Sequence, residues 1–426
     1  MTPTHRRDFL KQLAAVIPAS AVLSSSYYAK AASMHKKVKV TDVKCMMVNG
    51  TRDWNMIKIE TDSGLAGISE AYWGRGIKDI VLGYLRKALV GEDPVGVEVL
   101  YTKMMRDCSS AGSQAGTTVT AIGGVEIALW DLAGKILDAP VYELLGGKYR
   151  EGVRAYWTSE PRDTLDPACC REYAAMLKSH PFGFTAIKSQ ADAFPRMYDP
   201  QLGEPGHDPY GGQLTPKDLS RIGRGFANLR AAVGDDIDIA VHCHWEFDWI
   251  DALELARAVA PIKPMWLEDP IAPEFSGSWV KLTQASPVPI LTGENLYRRQ
   301  GFEPFVVNQG CNIIHIDIPK TGGLLESKKI ADLAEVYSIP VCVHNAAGPL
   351  GTVASAHCAA SIRDFRCHEF CLGPQLTPET WQEYIVYEGP VIKDGKIRLL
   401  DKPGFGAEIN ESHVRANLAP GEEWWG

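Results

Sequence analysis

The 426-residue chain has no run of Lys or Arg longer than a few residues, and its formal net charge is −8. That combination leaves no electrostatic footprint for nucleic acid. The apolar stretch from Leu13 to Leu23 is too short to span a bilayer, so no membrane span is expected in the mature chain. The ten cysteines include no CxxC pair, which argues against a thiolate metal site. Nor do they form a disulfide framework. Cys169 and Cys170 are adjacent and would strain to pair, while Cys243, Cys342 and Cys367 fall in or beside apolar runs that read as buried strands. A reduced thiol packs there as a small apolar side chain. What is present is ordinary for a globular protein, 45% hydrophobic and 23% charged, and long enough for a large barrel and one further domain.

The N-terminus stands apart. Thr4-His5-Arg6-Arg7-Asp8-Phe9-Leu10-Lys11 precedes the short apolar stretch, and Ala29-Lys30-Ala31 offers a small-residue cleavage site. The segment resembles a twin-arginine signal, with His5 in place of the usual Ser or Thr. The expectation is a signal peptide over residues 1–32 and a periplasmic protein exported already folded, which suits buried, reduced cysteines.

The mature chain is organised around Trp266-Leu267-Glu268-Asp269-Pro270. An apolar run that stops at an acid and a proline reads as a buried parallel strand delivering a side chain to an edge. Glu268 has counterparts. His242 lies 26 residues before it and Glu294 26 residues after it; Asp317, His344 and Glu369 follow at intervals of 23, 27 and 25. Each ends or follows a short apolar run. One strand, one helix and two loops take about this many residues, so the spacing is that of a repeated βα unit with polar groups at the C-terminal strand ends, where barrel catalysis happens. A lone acid after a strand is usually a helix cap, but an even series is hard to explain that way.

Ahead of this series, residues 37–60 alternate apolar and polar, Asp62-Ser63-Gly64 makes a turn, and Ile122, Val125, Leu129, Leu132 and Ile136 share one helical face. This gives a small α+β domain over 35–150 and a barrel over 151–384. A polar, Pro/Gly-rich insertion runs from Ala191 to Leu214 and reads as a lid, an interface loop or a solvated loop, with His207 at the surface. Helices are expected at Asp251–Ala260 and Ser327–Tyr337. A hairpin around Lys393-Asp394-Gly395 opens a segment, 385–426, expected to return to the first domain.

Ala121-Ile122-Gly123-Gly124-Val125-Glu126-Ile127-Ala128-Leu129-Trp130-Asp131-Leu132-Ala133-Gly134-Lys135, Pro140-Val141-Tyr142-Glu143-Leu144-Leu145-Gly146-Gly147, Trp266-Leu267-Glu268-Asp269-Pro270, Thr292-Gly293-Glu294 and Asp317-Ile318-Pro319-Lys320-Thr321-Gly322-Gly323 resemble the motifs of the mandelate racemase/muconate-lactonising branch of the enolase superfamily, over about residues 37–410. The resemblance implies an α/β fold, a modified (β/α)8 (TIM-type) barrel under an N-terminal α+β capping domain. It also implies a reaction that starts by removing a proton α to a carboxylate, with a divalent metal stabilising the enediolate. On that basis Glu268 and Glu294 are metal ligands, Asp317 and His344 form the dyad of the general base, Glu369 hydrogen-bonds the enediolate oxygen and Lys188 steadies the substrate carboxylate. Carboxylate ligands suit Mg²⁺.

Two departures narrow the reading. The second barrel strand usually ends Lys-x-Lys, but here it reads Lys188-Ser189-Gln190, and Gln190 cannot take a proton. A racemase working through two opposed bases is thereby disfavoured. The third strand usually ends at an Asp ligand, but here it reads Val241-His242-Cys243-His244-Trp245-Glu246. Alternation places His242, His244 and Glu246 on one side. In galactonate-dehydratase-like members the His two residues beyond the ligand is the general acid, which is His244 here. His242 then falls on the metal, better suited to Mn²⁺, Fe²⁺ or Zn²⁺, unless Glu246 reaches in. Gln190, Trp245, Asn345, Tyr72 and Trp73 are candidate substrate contacts; the resemblance implies that Tyr72, Trp73 and the segment Met46–Asp53 fall where the family's capping domain touches substrate. The expectation is an acid-sugar (aldonate or aldarate) dehydratase, a lyase giving a 2-keto-3-deoxy acid, and a homo-oligomer. The alternatives are a cycloisomerase or single-base epimerase, and a non-catalytic exported sugar-acid binder.

Overall fold

The computed structural model describes residues 38–191, 214–372 and 376–425. The segment read as a twin-arginine signal and nearly all of the Ala191–Leu214 insertion, His207 included, lie outside the described residues.

The alternating N-terminal stretch forms an antiparallel meander of Val40–Asn49 (β1), Asp53–Thr61 (β2) and Ala66–Ala71 (β3). Cys45 lies opposite Ile57, and Ile57 opposite Ser69. Its buried face packs on a long helix, Thr117–Leu137 (α1), whose Ile122, Val125, Leu129 and Leu132 are buried and Ile136 partly so. This helix is sandwiched, and its paired glycines show how. A Cβ on Gly124 would overlap Ala71 of β3, and one on Gly123 would press into the backbone of Gly322 and Gly323 in the barrel. Only glycine lets one helix approach both neighbours so closely.

Eight parallel strands then close on themselves: Gly152–Thr158 (β4), Ala186–Gln190 (β5), Asp238–His242 (β6), Leu267–Glu268 (β7), Ile290–Thr292 (β8), Ile313–Asp317 (β9), Val341–His344 (β10) and Phe365–Phe370 (β11), with β11 paired back to β4. The expected helices are Trp249–Val259 (α2), capped by the Asp248 carboxylate, and Leu324–Val336 (α3). The barrel interior is filled by one residue from or beside each strand in turn: Tyr156, Ala186, Ala240, Trp266, Leu291, Ile313, Cys342 and Cys367. The barrel is thus a packed core whose mouth alone is open to chemistry. All ten cysteines are free, and nine are buried.

The hairpin of Ile392–Lys393 (β12) and Lys396–Arg398 (β13) adds antiparallel to β4, through Ile397 opposite Val153, and so extends the barrel. The residues after it reach the capping domain: Asn49 N–H donates to Asn417 O, and Ala419 N–H donates to Met47 O. Among the described residues no helix is long and apolar enough to cross a membrane.

The capping domain is fastened to the barrel by two buried carboxylates. Glu126 of α1 accepts from Leu324 N at 2.8 Å and Leu325 N at 2.9 Å, the first N–H groups of α3. Glu70 of β3 accepts from Gly348 N at 2.5 Å and Gly351 N at 3.3 Å, where Pro349–Ala360 (α4) begins. Both barrel helices start at a glycine N-cap with no side chain to offer, Gly323 and Gly348. The capping domain supplies from outside the acceptor that a helix N-terminus lacks.

Candidate active site

The parallel register places the strand ends side by side: Gln190 beside His242, His242 beside Glu268, and Asp317 beside His344. Glu294 comes two residues after β8, where Gly293 turns the chain with φ 138° and leaves no room for a Cβ against His315. Six side chains from six strands therefore face one point.

Lys188 sits at the centre of the cluster. Its Nζ lies 2.6 Å from Glu268 Oε1 and 2.9 Å from Glu369 Oε1, and all three are buried. Trp266 Nε1 donates to the other Glu268 oxygen at 2.8 Å. Glu369 also accepts from Tyr156 OH at 3.1 Å, from Thr158 Oγ1, and from Asn345 N at 3.3 Å. Across the mouth, His344 Nδ1 lies 2.6 Å from Asp317 Oδ2, so the carboxylate fixes the ring and leaves Nε2 facing the cavity. Nε2 is 3.3 Å from Glu294 Oε2 and 3.6 Å from Glu369 Oε2.

Burial and neighbouring charge compete at every one of these groups. Burial acts to raise Glu369, but Lys188 and His344 overcome it and hold it down at about 2. Glu268 is likewise held well below the usual carboxylate range by Lys188 and its imidazole neighbours, against burial, and Glu294 is lowered by His344 and Lys188. Burial acts to lower Lys188, yet Glu268, Glu369 and Glu294 keep it above the ordinary lysine value, a permanent cation. For His344, burial pulls down while Glu294, Glu369 and Asp317 pull up, and the carboxylates win at about 9.

The residues present fit a divalent cation. Glu294 Oε2 is buried and lacks an aligned hydrogen-bond donor among the described residues, despite the nearby imidazole. Glu268, Glu294 and His315 bring donor atoms within 4.8 Å of one another. Burial holds His315 down at about 4, so its ring is neutral and has a lone pair to give. Its Nδ1 is unpartnered, 3.8 Å from Glu268 Oε1, and its Nε2 faces Tyr156 OH at 3.1 Å. His242 is close as well: Nδ1 lies 2.7 Å from Glu268 Oε1, near enough for an ion pair though not aligned as a hydrogen bond, and Nε2 lies 2.7 Å from His244 Nε2. Two carboxylates and imidazole nitrogen make a mixed O/N donor set, which accepts Mg²⁺ or Mn²⁺ and also softer divalent ions.

These groups open into a cavity of about 510 Å³. Lys188, Gln190, His242, His244, Trp245, Glu294, His344 and Glu369 line its barrel side, and Tyr72 and Trp73 its capping-domain side. Asn345 does not line it. Its side-chain amide donates to Thr352 Oγ1 at 2.9 Å, bracing the loop after β10. Glu246 is also absent from the lining, because Trp245 adopts φ 60° and ends the alternation that would have kept Glu246 on the face of His242 and His244. Some participants were not singled out from sequence. His315 was readable, two residues before Asp317 and so on its face of β9. Tyr156 and Thr158 were not, because no motif marks the end of the first barrel strand.

Comparison with known proteins agrees with this architecture. Residues 33–146 match the mandelate racemase/muconate lactonizing enzyme N-terminal domain, and residues 172–413 match the enolase C-terminal domain-like family. The chain is 36% identical over 392 residues to the D-xylonate dehydratase of Haloferax volcanii, covering 91% of this chain and 90% of that protein. It is 29% identical over 380 residues to the D-galactonate dehydratase of Xanthomonas campestris pv. campestris, covering 86% and 92%. Among solved structures, a mandelate racemase/muconate lactonizing enzyme-like protein from Rubrobacter xylanophilus superimposes with a TM-score of 0.83 at 32% identity, covering 91% of this chain and 99% of that one.

Proposed function

From the premise that this chain belongs to the mandelate racemase/muconate lactonizing enzyme family, with its enolase-type C-terminal domain, we propose that it is a hydro-lyase that dehydrates an acid sugar to a 2-keto-3-deoxy acid. One observation carries the reading most. His344, held by Asp317, lines one cavity with His244 and Glu294, so a base and an acid can reach one bound substrate. The names of the D-xylonate and D-galactonate dehydratases support the same class.

Glu268 and Glu294 would hold the divalent cation, with His242 or His315 as the nitrogen donor. When bound, the cation supplies the charge that holds the substrate carboxylate and the enediolate. Lys188, fixed between Glu268 and Glu369, stays charged and steadies a carboxylate oxygen. His344 takes the α-proton at Nε2. It must first be neutral, and the carboxylates that hold it protonated are Glu294, Glu369 and Asp317; a cation held by Glu294 would weaken that hold. Asp317 keeps the ring oriented and stabilises the imidazolium that forms. Glu369, held ionised, has no proton to give the developing oxyanion; it fixes the Lys188 ammonium, which does. His244 then protonates the departing β-hydroxyl, a poor leaving group.

The test is keto-acid release from a panel of aldonates and aldarates, before and after exhaustive chelation and on re-addition of Mg²⁺ or Mn²⁺. The expected result is turnover of at least one acid sugar, lost on chelation and restored by the metal. Isomerised product without keto acid would point to a cycloisomerase or epimerase, and tight binding without turnover to a sugar-acid binder. Full turnover by verified metal-free protein would remove the metal from the reading.

A further inference from the structure

The two ends of the cavity differ in charge. At the barrel end Glu294 and Glu369 stand beside Lys188 and His344, so both signs are present. Toward the capping domain the cavity is lined by Arg52, Arg75 and Lys320. Arg52 reaches in from the turn between β1 and β2, and its guanidinium lies 4.5 Å from the centre of the Trp73 ring. The Tyr72 and Trp73 rings lean on each other at 5.6 Å. Lys320 Nζ lies 5.2 Å from the centre of the Tyr72 ring and also donates to Asn295 Oδ1. Lys320 follows Asp317 by one helical turn, its N–H donating to Asp317 Oδ1 at 3.1 Å, so this cationic patch adjoins the dyad.

None of the three cations has a carboxylate within 4 Å among the described residues. Three cations without such a partner converge on one cavity wall of a chain whose net charge is −8, which leaves that wall able to take an anion. The Trp73 face holds the Arg52 guanidinium in place, and its N–H groups remain available at the plane's edge. A pre-positioned guanidinium suits a carboxylate, which it can meet bidentately, far better than a hydroxymethyl group.

We propose that the preferred substrate carries a second carboxylate at the end remote from the reacting carbon, an aldarate rather than an aldonate, and that Arg52 and Lys320, with Arg75 beside them, hold that far carboxylate. This rests on the dehydratase reading of the same site. The near carboxylate goes to the Glu268/Glu294 end and the far one to the Trp73 end, so the two ends set both the orientation of the chain and its class.

The experiment compares kcat/KM for matched pairs, xylonate with xylarate and galactonate with galactarate, in the parent enzyme and in Arg52→Ala and Lys320→Met, with an ω-phosphorylated aldonate as a third arm. The parent is expected to favour an aldarate over its aldonate by roughly 10–100-fold, the range of a hydrogen bond to a charged group. Arg52→Ala should erase most of that ratio through KM for the aldarate, and Arg52→Lys should recover part of it. A parent that prefers the aldonate, variants that lose both members of a pair equally, or a preference for the phosphorylated acid each overturn the second-carboxylate proposal and leave the dehydratase reading standing. If no acid sugar of any arm releases keto acid or exchanges its α-hydrogen, the dehydratase reading itself has failed. Where Arg52→Ala does not fold, the parent's preference and the Arg52→Lys ratio decide.

Discussion

At the scale of single residues, the two imidazoles stand in different surroundings. His344 is gripped by Asp317 at 2.6 Å, whereas His244 is exposed and turned toward His242. His344→Asn is expected to abolish exchange of the substrate α-hydrogen with solvent deuterium, and Asp317→Asn to slow it less completely. Exchange at the parent rate in His344→Asn would mean another base operates. His244→Asn should instead keep exchange and lose keto-acid formation by roughly the 10²–10⁴-fold typical of general acid catalysis. Keto acid at the parent rate in that variant would leave His244 without a chemical task. The residues that bear on this were largely readable, because β-strand alternation and even spacing project directly onto the barrel mouth. Glu246 and Asn345 were misdirected by the same logic. One left-handed residue, Trp245, rotated Glu246 away, and a local hydrogen bond to Thr352 claimed Asn345. Neither local event leaves a periodic signature.

At the scale of elements, the seam between capping domain and barrel rests on Glu70 and Glu126 at the N-termini of α4 and α3. Both are fully buried. Burial pushes Glu70 up to about 7 and Glu126 up to about 8, against the backbone N–H groups that favour the ionised form. A carboxyl raised in the folded state stabilises the fold below its unfolded pKa of about 4.5, and that contribution is lost as pH climbs through the folded value. The seam should therefore weaken between about pH 4.5 and 8. In the Glu70→Gln/Glu126→Gln double variant, which cannot ionise there, the midpoint of thermal unfolding should fall less steeply over that window than in the parent. Identical slopes would show that neither group titrates on folding. Glu126→Ala, which strips two helix N–H groups and Trp130 Nε1 of their acceptor, should cost about 1–3 kcal/mol. The helix carrying Glu126 was plain in the sequence; its partner in the barrel was not, since a buried acid on a helix gives no sign of which N-terminus it will meet.

At the scale of the whole molecule, the export reading is tested by replacing Arg6 and Arg7 with Lys, which should strand the precursor in the cytoplasm. An unchanged periplasmic yield would mean that the segment is not read as a twin-arginine signal. Within the fold, the amino-acid order alone determined the repeated βα unit, the α+β domain ahead of it, and the strand ends that carry Lys188, His242, Glu268, Glu294, Asp317, His344 and Glu369. All of these follow from periodicity and local spacing, which survive in one dimension. Tertiary structure decided the rest. It brought His315 and Tyr156 into the carboxylate cluster, set Glu70 and Glu126 on helices nearly 200 residues or more away in sequence, and gathered Arg52, Arg75 and Lys320 on one cavity wall. Contacts across such separations are chosen by packing and by the burial of charge, and no short-range pattern encodes them.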